Sequence, residues 1–119
     1  ANAGHHPPLI LRSDDGRLEE LERGETALGV LKDVHFREHT ATLRRGDCMI
    51  TFTDGVTEAL SADGVFFGES RLHEVIRQRC TRDTADGTLS RIVDAVADFV
   101  GDQPPSDDLT LMVVRRQVD

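Results

Sequence analysis

Apolar and polar residues alternate over short stretches in the first half of the chain. Pro7 and Pro8 disfavour a helix and lead into an apolar run, so residues 9–12 are predicted to form a strand. An Asp-Gly turn follows, and residues 18–22 are predicted to form a second short strand. Residues 48–53 are apolar and β-branched, which is typical of a strand buried on both faces. The first half is therefore predicted to be a meander of short strands.

Two segments between these strands have weaker patterns. Residues 27–31 are compact and apolar, which indicates a buried turn or the edge of a strand. Residues 35–43 contain two threonines, and β-branched residues favour a strand. This second prediction puts His35 and His39 on an exposed strand face.

The apolar positions take a helical period in the second half. Leu72, Val75 and Ile76 predict one helix, which Glu69 or Ser70 is placed to cap.

A second, longer helix is predicted over residues 89–100, with Gly101 as its stop signal. Residues 109–114 then form a strand apolar enough to be central in a sheet. The order of strands, two helices and a strand predicts an α+β fold in which helices pack on a sheet.

The composition of the chain argues against some classes of function. A chain of 119 residues has the size of one domain, and its net charge of -8 with no tryptophan or tyrosine argues against a nucleic-acid platform. The acidic balance also disfavours an anionic membrane surface, and neither a membrane-spanning run nor an export leader is expected. Cys48 and Cys80 lie far apart in the sequence, which favours reduced thiols and a cytoplasmic location.

Two acidic segments carry the candidate chemistry. Asp54 and Gly55 end the buried strand, and Asp107 and Asp108 precede the final one. If these strands are antiparallel neighbours, the two segments meet at one edge of the sheet. Carboxylates and carbonyls held there suit a hard cation such as Mg²⁺ or Mn²⁺, and Gly55 would let its own carbonyl approach closely.

Simpler interpretations of the same residues stay open. Aspartate precedes glycine four times, at Asp15, Asp54, Asp63 and Asp86. Most such pairs are turns, and Asp107 with Asp108 could be a cap or a turn. No EF-hand, zinc, P-loop or G-x-S-x-G pattern occurs, and Cys48 has the setting of an inert buried thiol.

Several short strings, in this order, together resemble one protein family. They are Asn2-Ala3-Gly4-His5 with Pro7-Pro8, Leu28-Gly29-Val30, Gly46-Asp47, Thr53-Asp54-Gly55-Val56-Thr57-Glu58-Ala59, Phe67-Gly68 and Ser106-Asp107-Asp108-Leu109-Thr110-Leu111. The sequence is similar to the SpoIIE/RsbU-type branch of the PP2C-like (PPM) metal-dependent serine/threonine phosphatases, over nearly its whole length.

The resemblance implies a PP2C-like antiparallel β-sandwich flanked by helices, with a two-metal Mn²⁺ or Mg²⁺ site. It implies that Asp54 and Asp107 are catalytic metal ligands, that Gly55 belongs to the metal loop, and that Asp108 orients a water or supports the ligands. The implied reaction is hydrolysis of phosphoserine or phosphothreonine by a metal-activated water. The implied partner is a regulatory protein such as a STAS-type anti-anti-sigma factor.

One departure from the family pattern bears on activity. The family carries a metal-bridging Gly-Asp motif upstream of the point matched by Asn2, so residues 1–119 are predicted to be the C-terminal portion of the domain, without its N-terminal strands. The isolated chain is accordingly expected to be inactive. A non-catalytic regulatory or protein-binding module on the same fold is the alternative, and a strand-exchanged homodimer stays open.

The segment 61–68 has two interpretations. By its position after the metal loop it resembles the family's flap and switch region. The alternative is an ordinary loop with Phe66 and Phe67 packed beneath it.

Overall fold

The computed structural model describes residues 1–105 and 107–118, so Ser106 of the second acidic segment lies outside the described residues. The elements, in chain order, are β1 (Leu9–Leu11), β2 (Leu18–Glu20), β3 (Cys48–Phe52), α1 (Asp54–Thr57), α2 (Gly68–Arg79), α3 (Ala85–Val100) and β4 (Leu111–Arg115). The strands form one four-stranded sheet in the order β2-β1-β3-β4. All three pairings are antiparallel. The predicted α+β class is confirmed.

The strand β3 is the centre of this arrangement. It pairs with β1 so that Leu9 lies opposite Ile50, and with β4 so that Phe52 lies opposite Leu111. Strands β3 and β4, which adjoin the two acidic segments, are thus antiparallel neighbours. The predicted proximity of the acidic segments required this pairing.

One face of the sheet packs against α2 and α3. Alternate residues of β3 point into this core, where Ile50 is fully buried. The helices contribute Leu72 and Ile76 from α2, and Ile92 and Val96 from α3. The helical spacing found in the sequence is therefore the spacing of the core face.

The final strand is not central among the described residues. β4 lies at the edge of the sheet, and Met112 and Val114 are exposed on the face that the helices do not cover. The prediction of a central strand was wrong because β4 pairs with β3 alone among the described residues. Its apolar residues are also buried only in part, with Leu111 and Val113 half-buried toward the helices. The same open face leaves Met49 of β3 half-buried, rather than fully enclosed as predicted.

The two weakly patterned segments contain no strand. Residues 27–31 form a turn, but Leu28, Val30 and Leu31 are 75%, 64% and 65% exposed, so the expected burial is wrong. Residues 35–43 are irregular, with no strand partner among the described residues. Threonine content favours a strand only where a neighbouring strand can pair with it.

The starts of both predicted helices differ from expectation, and α3 begins at Ala85 rather than at residue 89. No side chain caps α2, whose N-cap is Phe67, so the capping role predicted for Glu69 or Ser70 is wrong. Thr84 caps α3 by accepting a hydrogen bond from the amide of Gly87 at 2.9 Å. No helix of the described residues is long and apolar enough to cross a membrane.

The segment 61–68 is a closed turn leading into α2. The amide of Ser61 donates to the carbonyl of Val65 at 2.9 Å. Phe67 is buried in the core, whereas Phe66 is 54% exposed. The packing expected of an ordinary loop thus holds for one phenylalanine, and the switch interpretation stays a prediction.

Candidate metal centre

Two threonines hold the end of β3 against the start of β4. The amide of Thr53 donates to the carbonyl of Thr110 at 3.1 Å, and the amide of Thr110 donates to Oγ1 of Thr53 at 3.1 Å. Thr53 directly follows β3, and Thr110 directly precedes β4. These bonds fix the two acidic segments next to each other, where β3 ends and β4 begins. This end of the two strands is called the acidic edge below.

Gly55 is a point of close approach between the segments. A Cβ atom at this position would lie 2.0 Å from the backbone oxygen of Asp108, so a side chain does not fit unless the backbone shifts. The glycine was predicted to let its own carbonyl approach a cation. The close approach seen here is instead that of the Asp108 carbonyl toward Gly55.

The acidic segments line a common cavity of about 430 Å³ at this edge. That volume has room for several water molecules, each of about 30 Å³. Its lining residues are Gly4, His5, His6, Phe52, Thr53, Asp54, Gly55, Asp107, Asp108 and Thr110. All four predicted site residues are among them.

Asp54 presents an exposed carboxylate to this cavity. It is the first residue of the short helix α1, and its side chain is 59% exposed. Nε2 of His6 lies 2.5 Å from its Oδ1 atom. No other side-chain hydrogen bond to this carboxylate occurs among the described residues.

His6 is the neighbour that sequence reasoning missed. No sequence motif links His6 to Asp54, which lies 48 residues away from it in the chain. Continuing the β1–β3 register, in which Leu9 pairs with Ile50, puts residue 6 opposite residue 53. The strand pairing was the signal that would have found it.

The donor set at this edge fits a hard cation. Asp54, Asp107 and Asp108 offer carboxylate oxygens, and oxygen donors are what Mg²⁺ and Mn²⁺ prefer. Among residues 1–105 and 107–118, no group of three or more His, Cys, Asp or Glu side chains is gathered closely enough to hold a metal. The donor chemistry at this edge thus suits a hard cation, but the described residues do not by themselves gather three such ligands.

The two thiols lie in the core, away from this edge. Cys48 and Cys80 are both free and fully buried. Burial raises the pKa of Cys48, and burial is also the main reason that the pKa of Cys80 rises to about 11. Thiols in that state are poor nucleophiles, in agreement with the prediction that Cys48 is inert.

Solved structures identify the fold. The chain is similar to the SiaA PP2C domain of Pseudomonas aeruginosa, with a TM-score of 0.74 and 23% identity over 93% of this chain and 43% of that one. It is equally similar to the structure of the PP2C phosphatase domain of SpoIIE from Bacillus subtilis, with a TM-score of 0.75 and 20% identity over 97% of this chain and 32% of that one. The sheet and helices described above therefore have the PP2C fold.

Sequence similarity identifies the family. Residues 1–117 match the family of stage II sporulation protein E (SpoIIE), and the chain belongs to that family. It is 30% identical over 118 residues to the phosphoserine phosphatase RsbU of Bacillus subtilis, and 31% identical over 115 residues to the protein IcfG of Synechocystis. The matches cover 99% and 97% of this chain, but only 34% of RsbU and 18% of IcfG. The chain thus spans about a third of one of these relatives and about a fifth of the other.

Proposed function

We propose that residues 1–119 are the C-terminal portion of a PP2C-like, metal-dependent protein serine/threonine phosphatase domain. The observation that carries this proposal is the shared cavity of Asp54, Gly55, Asp107 and Asp108 in a chain of the SpoIIE family. The similarity to a protein named phosphoserine phosphatase supports the same reaction.

In this proposal the chain's own residues hold and orient the reacting groups. Asp54 and Asp107 are the direct ligands of Mn²⁺ or Mg²⁺, and Asp108 orients a water or supports the ligands. The chemistry that bound cations supply is a water of lowered pKa and positive charge beside the phosphoryl oxygens. Gly55 contributes by letting the two acidic segments approach each other.

The substrate is proposed to be phosphoserine or phosphothreonine on a regulatory protein, such as a STAS-type anti-anti-sigma factor. The exposure of the acidic edge supports a macromolecular substrate, because both acidic segments are accessible at the surface. A cytoplasmic location is part of the proposal, and the two unpaired thiols support it. A strand-exchanged homodimer stays a prediction.

The decisive experiment replaces Asp54 in the full-length protein that carries this chain. Asp54→Asn is nearly isosteric but removes the negative charge, so hydrolysis of para-nitrophenyl phosphate with Mn²⁺ is expected to fall at least about 100-fold. Initial rates over a Mn²⁺ titration give the measurement.

The matched control is Asp86→Asn, which changes another exposed aspartate that precedes a glycine but does not line the cavity. It is expected to keep the wild-type rate and Mn²⁺ dependence. An Asp54→Asn protein that retains full Mn²⁺-dependent activity would refute the phosphatase assignment of this edge and favour a non-catalytic module.

A further inference from the structure

The ring of His6 is held in one place by its surroundings. It stacks on Phe52, the last residue of β3, with ring centroids 5.0 Å apart and an interplanar angle of 28°. Pro7 and Pro8 restrict the backbone that leads from His6 into β1. The side chain is only 23% exposed, although it borders an open cavity. The imidazole is therefore a fixed group rather than a mobile surface side chain.

One edge of this ring meets the carboxylate of Asp54. Nε2 lies 2.5 Å from Oδ1, within hydrogen-bond distance. The second carboxylate oxygen of Asp54 has no hydrogen-bond partner among the described residues. The contact thus fixes one oxygen of the carboxylate and leaves the other for a ligand.

The other edge of the ring faces α2. Nδ1 lies 3.2 Å from Oε1 of Glu69, a residue in the first turn of that helix. The second oxygen of Glu69 lies 3.6 Å from Nη2 of Arg23, which also pairs with Glu20 at the end of β2. The contact with Glu69 thereby holds His6 on the side away from Asp54. A displacement of Asp54 would have to move a ring that is held from two directions.

We propose that His6 is a positioning residue for Asp54, setting the orientation in which this carboxylate meets a divalent cation. The inference rests on the proposed function, in which Asp54 is a metal ligand. Carboxylates that ligate metals are generally hydrogen-bonded to a neighbouring group, and this fixed partner keeps their geometry. His6 does not itself touch the substrate in this role.

The test separates the two edges of the ring. In the full-length protein, His6→Gln puts an amide nitrogen near the place of Nε2, toward Asp54, whereas His6→Asn puts one near the place of Nδ1, toward Glu69. His6→Ala removes both contacts. Mn²⁺ affinity, measured from the electron paramagnetic resonance signal of the free ion, is expected to fall about 10- to 100-fold in the alanine and asparagine variants. The glutamine variant is expected to recover most of that loss.

Melting temperatures of the same variants show whether a loss of Mn²⁺ affinity comes from a loss of folding stability instead. His39→Ala is the matched control, since His39 forms another histidine–carboxylate contact, with Nδ1 3.1 Å from Oε2 of Glu22, and does not line the cavity of Asp54. It is expected to keep the wild-type Mn²⁺ affinity.

Two results would overturn the inference: wild-type Mn²⁺ affinity in His6→Ala, or equal losses in the glutamine and asparagine variants. Either result, obtained while Asp54→Asn still abolishes Mn²⁺ binding and activity, removes the role of His6 alone. Retention of Mn²⁺ binding and activity in Asp54→Asn removes the proposed function itself.

Discussion

Asp47 and Asp54 flank the same strand, β3, and each faces a basic side chain from the segment around β1. Asp47 is 1% exposed and lies 2.7 Å from Nη1 of Arg12. Its carboxylate also accepts hydrogen bonds from the amides of Ser13 and Arg44, each at 2.9 Å. At the other end of the strand, the side chain of Asp54 is 59% exposed, and His6 is the only described residue whose side chain hydrogen-bonds to its carboxylate.

The difference separates an aspartate that stabilises the fold from one that is free to bind a ligand. Three donors occupy the carboxylate of Asp47, so it has little capacity left for a cation. Asp54 keeps one oxygen available and stands beside a second acidic segment. Carboxylates brought together in that way repel each other until a cation neutralises them.

The largest expected effect on stability comes from Asp47→Ala. The change leaves Arg12, whose side chain is 8% exposed, without one of its two carboxylate partners. Removing one partner of a buried ion pair is costly, and we expect the free energy of unfolding to fall by about 3 kcal/mol. Urea unfolding of the full-length protein, followed by circular dichroism, measures the change.

Asp54→Ala is the matched comparison at the other end of β3. Exposed substitutions usually change stability by less than about 0.5 kcal/mol, so its unfolding midpoint is expected to stay near the wild-type value in the absence of added metal. Equal losses in the two variants would show that both aspartates support the fold, and the distinction between them would fail.

The two ends of β3 also differ in how much the sequence revealed. The acidic segment at Asp54 was predicted from its place after a buried strand, and antiparallel pairing with the strand after Asp108 brought the segments together as expected. Arg12 and His6 were not predicted as partners, because each lies more than thirty residues from its aspartate. Their proximity depends on the β1–β3 register, in which residue 12 falls opposite residue 47.

Burial outside the helix-covered core was the least predictable part. Leu28, Val30 and Leu31 are apolar, and an apolar run by itself does not reveal which surface will cover it. The same holds for Met112, whose strand has a neighbour on one side only among the described residues. The local pattern predicted the helices well because α2 and α3 bury a face defined by spacing alone.

A smaller loss of stability is expected when the pH is lowered, and it again arises at Asp47. Burial by itself would raise the pKa of Asp47, but the amide of Ser13, the guanidinium of Arg12 and the amide of Arg44 outweigh it and lower the pKa to about 2. A carboxylate with a lowered pKa stabilises the fold above its unfolded pKa, near 4, and loses that contribution as the pH falls toward 2. The loss is expected to be about 2 kcal/mol.

Urea midpoints between pH 2 and pH 5 measure this loss, with Asp47→Asn as the reference. Because the asparagine does not titrate, the difference between the two proteins is expected to shrink as the pH falls through this range. Parallel pH profiles would show that Asp47 does not have the lowered pKa, and would weaken the contrast with Asp54.

A loss of stability smaller than that of Asp47→Ala is expected from Gly55→Ala, which perturbs the acidic edge and leaves Asp47 intact. The new Cβ would press on the backbone oxygen of Asp108, so the 107–108 segment has to move away from Asp54. The atoms in the way are backbone, and Thr110 next to them is hydrogen-bonded to Thr53, so the free energy of unfolding is expected to fall by about 2 kcal/mol. Mn²⁺ affinity, in contrast, is expected to fall because the carboxylates separate. A variant that loses as much stability as Asp47→Ala yet binds Mn²⁺ normally would reverse the roles assigned to the two ends of β3, since Gly55 would then serve the fold rather than the ligand.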